Sequence, residues 1–233
     1  SIAIFSVSME LGPAGAARQA AAGVLLGIAF LTGIFSSLIA IIIGVTTIQT
    51  DLKEATIFSI LSKPIKRWEY LLGTYLGSLI YLLLAWSIFA ALFFGAIYFA
   101  EDSVNQVHGL MLSGRIMLSV LLLSLAYFLS QVFSPWIAGA LTILVYHGEL
   151  LVDLISFISR KLKAPLSFKA ETILGYIFPA TDRLDALERM LGSRPVAMPA
   201  VGWAFLHLAD YSLVLIVLAA LIFTRKELGK ALE

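Results

Sequence analysis

From Arg18 to Asp51 the chain carries no charged side chain, and Ala21 to Ile48 within it is one long apolar run. A membrane-spanning helix needs about 20 predominantly apolar residues, because the hydrocarbon core is about 30 Å thick and each helical residue rises about 1.5 Å. Charge is absent again between Glu69 and Glu101, which predicts a second span from Leu71 to Phe99. Leu110 to Val152 holds two more, separated at Ser130-Gln131-Val132-Phe133-Ser134-Pro135. There the proline fixes its own φ and disfavours helix in the residue before it, so a tight hairpin turn is predicted. A last span, Val201 to Thr224, is closed by Arg225-Lys226-Glu227. The short apolar opening with Ile2, Ile4, Phe5 and Val7 reads as the tail of a further helix whose beginning precedes the numbering. It lacks the basic start and small-residue cleavage site of a signal peptide. The expected fold is therefore all-α: a single domain over residues 1–233, a polytopic transmembrane helix bundle of six spans with the first truncated.

Composition agrees with lipid as the solvent. Only 13% of the 233 residues are charged and 60% are hydrophobic, whereas a soluble domain carries about 25% charged residues. A net charge of +1 offers no electrostatic footprint for nucleic acid. The chain has no cysteine, which excludes disulfides and thiol chemistry.

Alternation of the spans places Asp51–Glu69, the Ser130–Pro135 turn and the C-terminal tail on one face of the membrane. The segments Glu10–Arg18, Glu101–Gly109 and the long loop 159–199 fall on the other. Basic residues in short loops mark the cytoplasmic side, but here they divide. The first face has Lys53, Lys63, Lys66, Arg67, Arg225, Lys226 and Lys230, and the long loop of the second carries seven of its own, from Arg160 to Arg194. Trp68, Tyr70, Tyr98, Phe99, Trp136 and Trp203 stand near the expected boundaries, where aromatic rings anchor helices at the headgroups. In the long loop Thr181 can cap a short interfacial helix with Leu184, Leu187 and Leu191 on one side.

The segment after the long apolar run is the most informative. Leu52, Ala55, Phe58 and Leu61 recur every third residue, which predicts a short helix with one apolar stripe, ended by Pro64. On that pattern alone the helix is an interfacial tether. Yet Glu54-Ala55-Thr56-Ile57 followed by Leu61-Ser62-Lys63-Pro64-Ile65-Lys66-Arg67-Trp68-Glu69-Tyr70-Leu71-Leu72-Gly73-Thr74-Tyr75-Leu76-Gly77 resembles the signature of ABC transporter permease subunits of the type-two, exporter-like superfamily. Phe178-Pro179-Ala180-Thr181-Asp182-Arg183-Leu184 and Phe223-Thr224-Arg225-Lys226-Glu227-Leu228 are similar to later pieces of the same pattern, in the same order. The chain departs at Ala55, where the family often has glycine, and at Thr74, where it often has lysine.

The resemblance implies a subunit that pairs with a second permease copy or homologue in the cytoplasmic (inner) membrane, its 51–69 loop forming a coupling helix on a cytoplasmic ABC ATPase. Asp51, Glu54, Lys63, Pro64 and Arg67 would then dock, with Phe58 as apolar anchor, and the 159–199 loop would be extracytoplasmic. ATP and Mg would sit on the partner ATPase. This chain itself is expected to bind no cofactor and to catalyse nothing, and its function would be to couple ATP hydrolysis to substrate movement. The alternative is a non-transporting membrane scaffold that anchors an ATPase and works mechanically on another complex.

Ionisable groups inside spans are costly and often functional. His147, Glu149 and Asp153 lie on one span, His207 and Asp210 on the last. Counting 1.5 Å per residue puts Glu149 and His207 at similar depths, about 10 Å from the outer edge of the apolar core. Glu149 is therefore expected to pair with His207 or Asp210, or else to line a substrate path. An intramembrane hydrolase is the remaining rival, but His147-Gly148-Glu149 does not supply the His-Glu-x-x-His of a metalloprotease, and no Gly-x-Ser-x-Gly occurs. Gly23-x-x-x-Gly27 and Gly73-x-x-x-Gly77 are expected to let helices approach closely inside the bundle, with a dimer seam as the other use.

A phosphate-cradling loop needs Gly-x-x-x-x-Gly-Lys-Ser/Thr, and Gly229-Lys230 is followed by Ala231 with no upstream glycine. The isolated chain is accordingly expected neither to bind nor to hydrolyse ATP. A photoreactive ATP analogue should leave it unlabelled, and labelling that ATP competes away would overturn this expectation.

Overall fold

The computed structural model describes residues 13–53, 65–101, 106–146 and 198–225. They form α1 (Pro13–Lys53), α2 (Arg67–Glu101), α3 (Gln106–Leu129), α4 (Pro135–Tyr146) and α5 (Met198–Arg225), with no strand among the described residues. Four of these helices are long and apolar enough to cross a membrane, over Phe30–Asp51, Arg67–Tyr98, His108–Leu129 and Gly202–Arg225. The polytopic helical bundle expected from the charge-free runs is therefore present. α4 has 12 described residues, about 18 Å of helix, less than a full crossing. Its expected continuation to Val152, the helix expected at Ile2–Val7 and the interfacial helix expected after Thr181 lie outside the described residues.

Several boundaries differ from those expected. α1 begins at Pro13 rather than near Ala21, so Arg18 is helical and not in a loop. Proline suits the first helical position, where its missing N–H leaves no bond unmade. α1 also runs on through Asp51 to Lys53, and α2 starts at Arg67, which shortens the expected Asp51–Glu69 loop at both ends. The start of α2 has a local cause. The Glu69 carboxylate reaches back to accept the Lys66 backbone N–H at 3.1 Å, and the Lys66 carbonyl accepts from the N–H groups of Glu69 and Tyr70 at 3.0 and 3.2 Å. This is the side-chain half of a capping box, and a carboxylate there also suits the helix dipole.

The α3–α4 turn falls where proline predicts it. The Val132 and Gln131 N–H groups bond carbonyls three residues back, at 3.0 and 3.1 Å, tightening the end of α3. Ser134 then precedes Pro135, and its carbonyl accepts the first bond of α4 from Ala138 at 2.9 Å.

α3 is the centre of the bundle: 56% of its span is buried, against 39% for α1, 28% for α5 and 22% for α2. Every residue from Leu121 to Tyr127 is buried. The core combines Ala40, Val45 and Ile48 of α1, Leu71, Leu82 and Trp86 of α2, Leu122 and Ala126 of α3, and Ala219 and Phe223 of α5. On the outside of α2, Leu76, Ile80, Leu84, Ile88 and Leu92 follow one another every fourth residue and are exposed. In a bilayer such a row meets lipid.

Close helix approach occurs at a glycine other than those expected. A Cβ on Gly44 would lie 2.7 Å from the Ala126 Cβ and 2.9 Å from the Leu123 carbonyl oxygen, so α1 rests backbone-to-backbone on α3. Among the described residues, a Cβ on Gly27, Gly73 or Gly77 would meet no other atom within 4 Å. Those three make no close contact with the described helices; Gly23 lies outside the residues whose surroundings are described. Gly44→Ala is therefore expected to destabilise the protein by about 1–3 kcal/mol, since it meets the Ala126 Cβ and the backbone of Leu123 and Tyr127, none of which can yield cheaply. Gly77→Ala should be neutral or slightly stabilising through helix propensity. Thermal unfolding of the two variants in the same detergent distinguishes them.

Candidate functional site

The described end of the bundle nearest residues 54–64 is held by polar side chains that cross between helices. α2 contributes Tyr70, Thr74 and Ser78, spaced by four and so on one side of the helix, with Tyr75 beside them. α1 presents Thr47, Gln49 and Asp51, α3 presents Ser124 and Tyr127, and the turn after α3 presents Ser130.

Tyr70 Oη donates to Asp51 Oδ2, joining the last turn of α1 to the first turns of α2. The Thr47 and Ser78 hydroxyls lie 3.0 Å apart. Thr74 Oγ1 and Tyr127 Oη are 2.5 Å apart, and both reach the Leu71 carbonyl, at 3.0 and 2.9 Å. Each hydroxyl has one proton, so one of the two donates to the other while that other donates to the carbonyl. Tyr75 Oη lies 2.8 Å from Ser124 Oγ, which in turn bonds the Val120 carbonyl at 2.8 Å; Tyr75 is thus the donor. Gln49 Nε2 donates to the Ser130 carbonyl at 2.8 Å, tying α1 to the α3–α4 turn.

Rings complete the arrangement. Tyr75 and Tyr127 meet edge to face, with centroids 5.5 Å apart. Tyr70 stacks on Phe223 near the end of α5, at 6.0 Å and 27°. Four helices therefore converge on one polar and aromatic layer, in a low-dielectric setting that strengthens each satisfied hydrogen bond.

The sequence-predicted residues distribute unevenly around this layer. Asp51 sits in α1 with its carboxylate engaged by Tyr70, and Arg67 is exposed as the first residue of α2. Glu54, Phe58, Lys63 and Pro64 lie outside the described residues, as do His147 and Glu149. His207 and Asp210 are one turn apart on the exposed side of α5; a pairing with Glu149 falls outside what is described. Among the aromatic anchors, Trp68, Tyr98, Trp136 and Trp203 are exposed as expected at a lipid boundary. Tyr70 is instead in the core, 6% exposed, because Asp51 and Phe223 both engage it.

Two polar residues in α3 escaped the sequence pattern. Arg115 stands within the span His108–Leu129, and its guanidinium occupies the space that a Cβ on Gly33 of α1 would fill. His108 is buried with its ring edge-on to Phe93, centroids 6.4 Å apart. A lone arginine inside an apolar run was the available signal for the first. No group of three or more His, Asp or Glu stands together to hold a metal ion among the described residues.

A polytopic bundle whose 51–69 region lies beside such a layer fits the comparison with known families. The family model described as ABC-2 family transporter protein matches residues 24–180. The chain belongs to the ABC-2 transporter family. It is thereby a multi-pass membrane protein and a permease component of an ABC transporter. A search of curated proteins gives no match. Within this ABC-2 member the matched region includes α2, α3, α4 and most of α1, and every expected docking residue from Asp51 to Arg67. It stops short of α5, which carries His207, Asp210 and the Phe223 partner of Tyr70.

Thr74 gains meaning here. Where the family pattern often has lysine, this ABC-2 member has a hydroxyl bonded to Tyr127 and to the Leu71 carbonyl. Tyr127→Phe leaves the packing intact and removes that junction. It is expected to lower stability by about 1 kcal/mol, the net worth of one buried hydrogen bond, read as an earlier thermal transition in detergent. An unchanged transition would show that Thr74 and Leu71 re-pair without the phenol.

Proposed function

We propose that the chain is the membrane-spanning subunit of an ABC transporter that couples ATP hydrolysis on a separate cytoplasmic ATPase to substrate movement across the inner membrane. The observation that carries this reading is the family match over residues 24–180, which spans the whole 51–69 region. The polar layer supports it, since the helices on either side of residues 54–64 are bonded together and a push there reaches several helices. ATP and Mg²⁺ belong to the ATPase, and a second permease copy or homologue completes the membrane unit. Lys53, Lys66, Arg67 and Arg225 gather at this end of the described helices, which supports its cytoplasmic placement.

In this reading Glu54, Lys63, Pro64 and Arg67 face the ATPase with Phe58 as apolar anchor, and Asp51 stands at their base. A carboxylate open to hydrocarbon is costly, so the side of α5 bearing His207 and Asp210 faces protein or water, where it meets His147 and Glu149 as a structural pair or a substrate path.

Reversing two docking charges together tests the reading. Glu54→Lys with Arg67→Glu is expected to weaken retention of the ATPase in co-purification roughly tenfold or more, the scale on which misplaced interfacial charges act. Membrane insertion and yield should be unaltered. Full retention of the ATPase by the double variant would remove the docking assignment.

A further inference from the structure

The geometry points to Tyr70 as a positioning residue that fixes both roots of the ATPase-docking segment to each other and to the last span; this rests on the functional reading above. Asp51 belongs to the last turn of α1 before that segment, and Tyr70 to the first turns of α2 after it. The phenol donates to the Asp51 carboxylate in a part-buried place, and a bond to a charged acceptor is stronger than one between neutral groups. It closes the chain where it leaves and re-enters the bundle. Among the hydrogen bonds between α1 and α2 set out above, the next is Thr47 to Ser78. That bond lies eight residues further along α2, about 12 Å deeper.

The same side chain has a second partner. Its ring stacks on Phe223, which is fully buried near the end of α5. Tyr70 is itself 6% exposed, so the stack is made inside the protein, and the bond to Asp51 is part-buried at its edge. A displacement of the docking segment therefore cannot swing α1 against α2; the two roots move as one unit, and the ring carries that movement to α5. Phenylalanine at 70 separates the two functions, keeping the stack and deleting the bond.

The absence of cysteine in the chain allows a direct test. Thr50→Cys and Trp68→Cys, both at exposed positions, take spin labels that report the separation of the two roots. The permease with its ATPase is placed in lipid nanodiscs and measured without nucleotide and with ATP and vanadate. With Tyr70 present, one narrow distance is expected in both states. In Tyr70→Phe the distribution should broaden, and ATP turnover per retained ATPase should fall roughly tenfold, the change that follows from losing one charge-assisted hydrogen bond. Asp51→Ala should also lower turnover per retained ATPase, and the double variant should fall no further than the lower single one, because both act through one bond. A narrow distribution with unaltered turnover in Tyr70→Phe, additive losses in the double variant, or a loss of thermal stability alone would each overturn the inference. If the unaltered chain retains no ATPase, the functional reading falls and the inference with it. Retention of the ATPase with an unaffected Tyr70→Phe overturns the inference alone.

Discussion

Hydrocarbon offers no hydrogen-bond partner, so every polar atom carried into it must be satisfied within the protein. Ser37, Thr46, Thr142 and Ser212 meet this demand alone, each bonding a carbonyl four residues back in its own helix. Side chains near residues 54–64 meet it by reaching across to another helix. The same requirement thus yields bonds internal to one helix at those four sites and bonds between helices beside residues 54–64. Trp86 departs from the rule: it is buried, and its indole N–H has no partner among the described residues.

Between those extremes the bundle relies on shape. α1 and α3 touch at Gly44 with backbone against backbone, and α2 keeps an unbroken lipid-facing row from Leu76 to Leu92. Van der Waals contact at small residues is the main attraction available between apolar helices in lipid. It is non-directional, so the hydrogen-bonded layer is what specifies the relative height of α1, α2 and α3.

The spans were legible in the sequence because charge is so expensive in lipid that its absence alone marks a crossing. The hairpin before Pro135 was legible for an equally local reason, the conformational limits of proline. Long-range choices were not. Gly73-x-x-x-Gly77 announces a groove without saying what fills it, whereas Gly44 belongs to no Gly-x-x-x-Gly pair and rests on the backbone of α3. Position alone put Tyr70 at the headgroups, but its partner is Asp51 on the preceding helix, and no periodicity links them. Arg115 was visible as a charge inside Leu110–Val152 and was masked by the apolar average of that stretch. Of the docking residues, Glu54, Phe58, Lys63 and Pro64 rest on the resemblance to ABC permeases, since they lie outside the described helices.

One consequence follows from the unbroken length of α1. Its 41 residues make a stiff rod of about 60 Å, roughly twice the hydrocarbon thickness. Gly44, where α1 bears on the backbone of α3, stands about 14 Å from Lys53 and about 47 Å from Pro13 along the axis. About that point on α3 the rod has two arms of unequal length. A tilt that moves the short arm by 1 Å sweeps the far end by about 3 Å in the opposite sense, from the ratio of those lengths. By proportion alone, any tilt about Gly44 displaces the Pro13 end more than the Lys53 end.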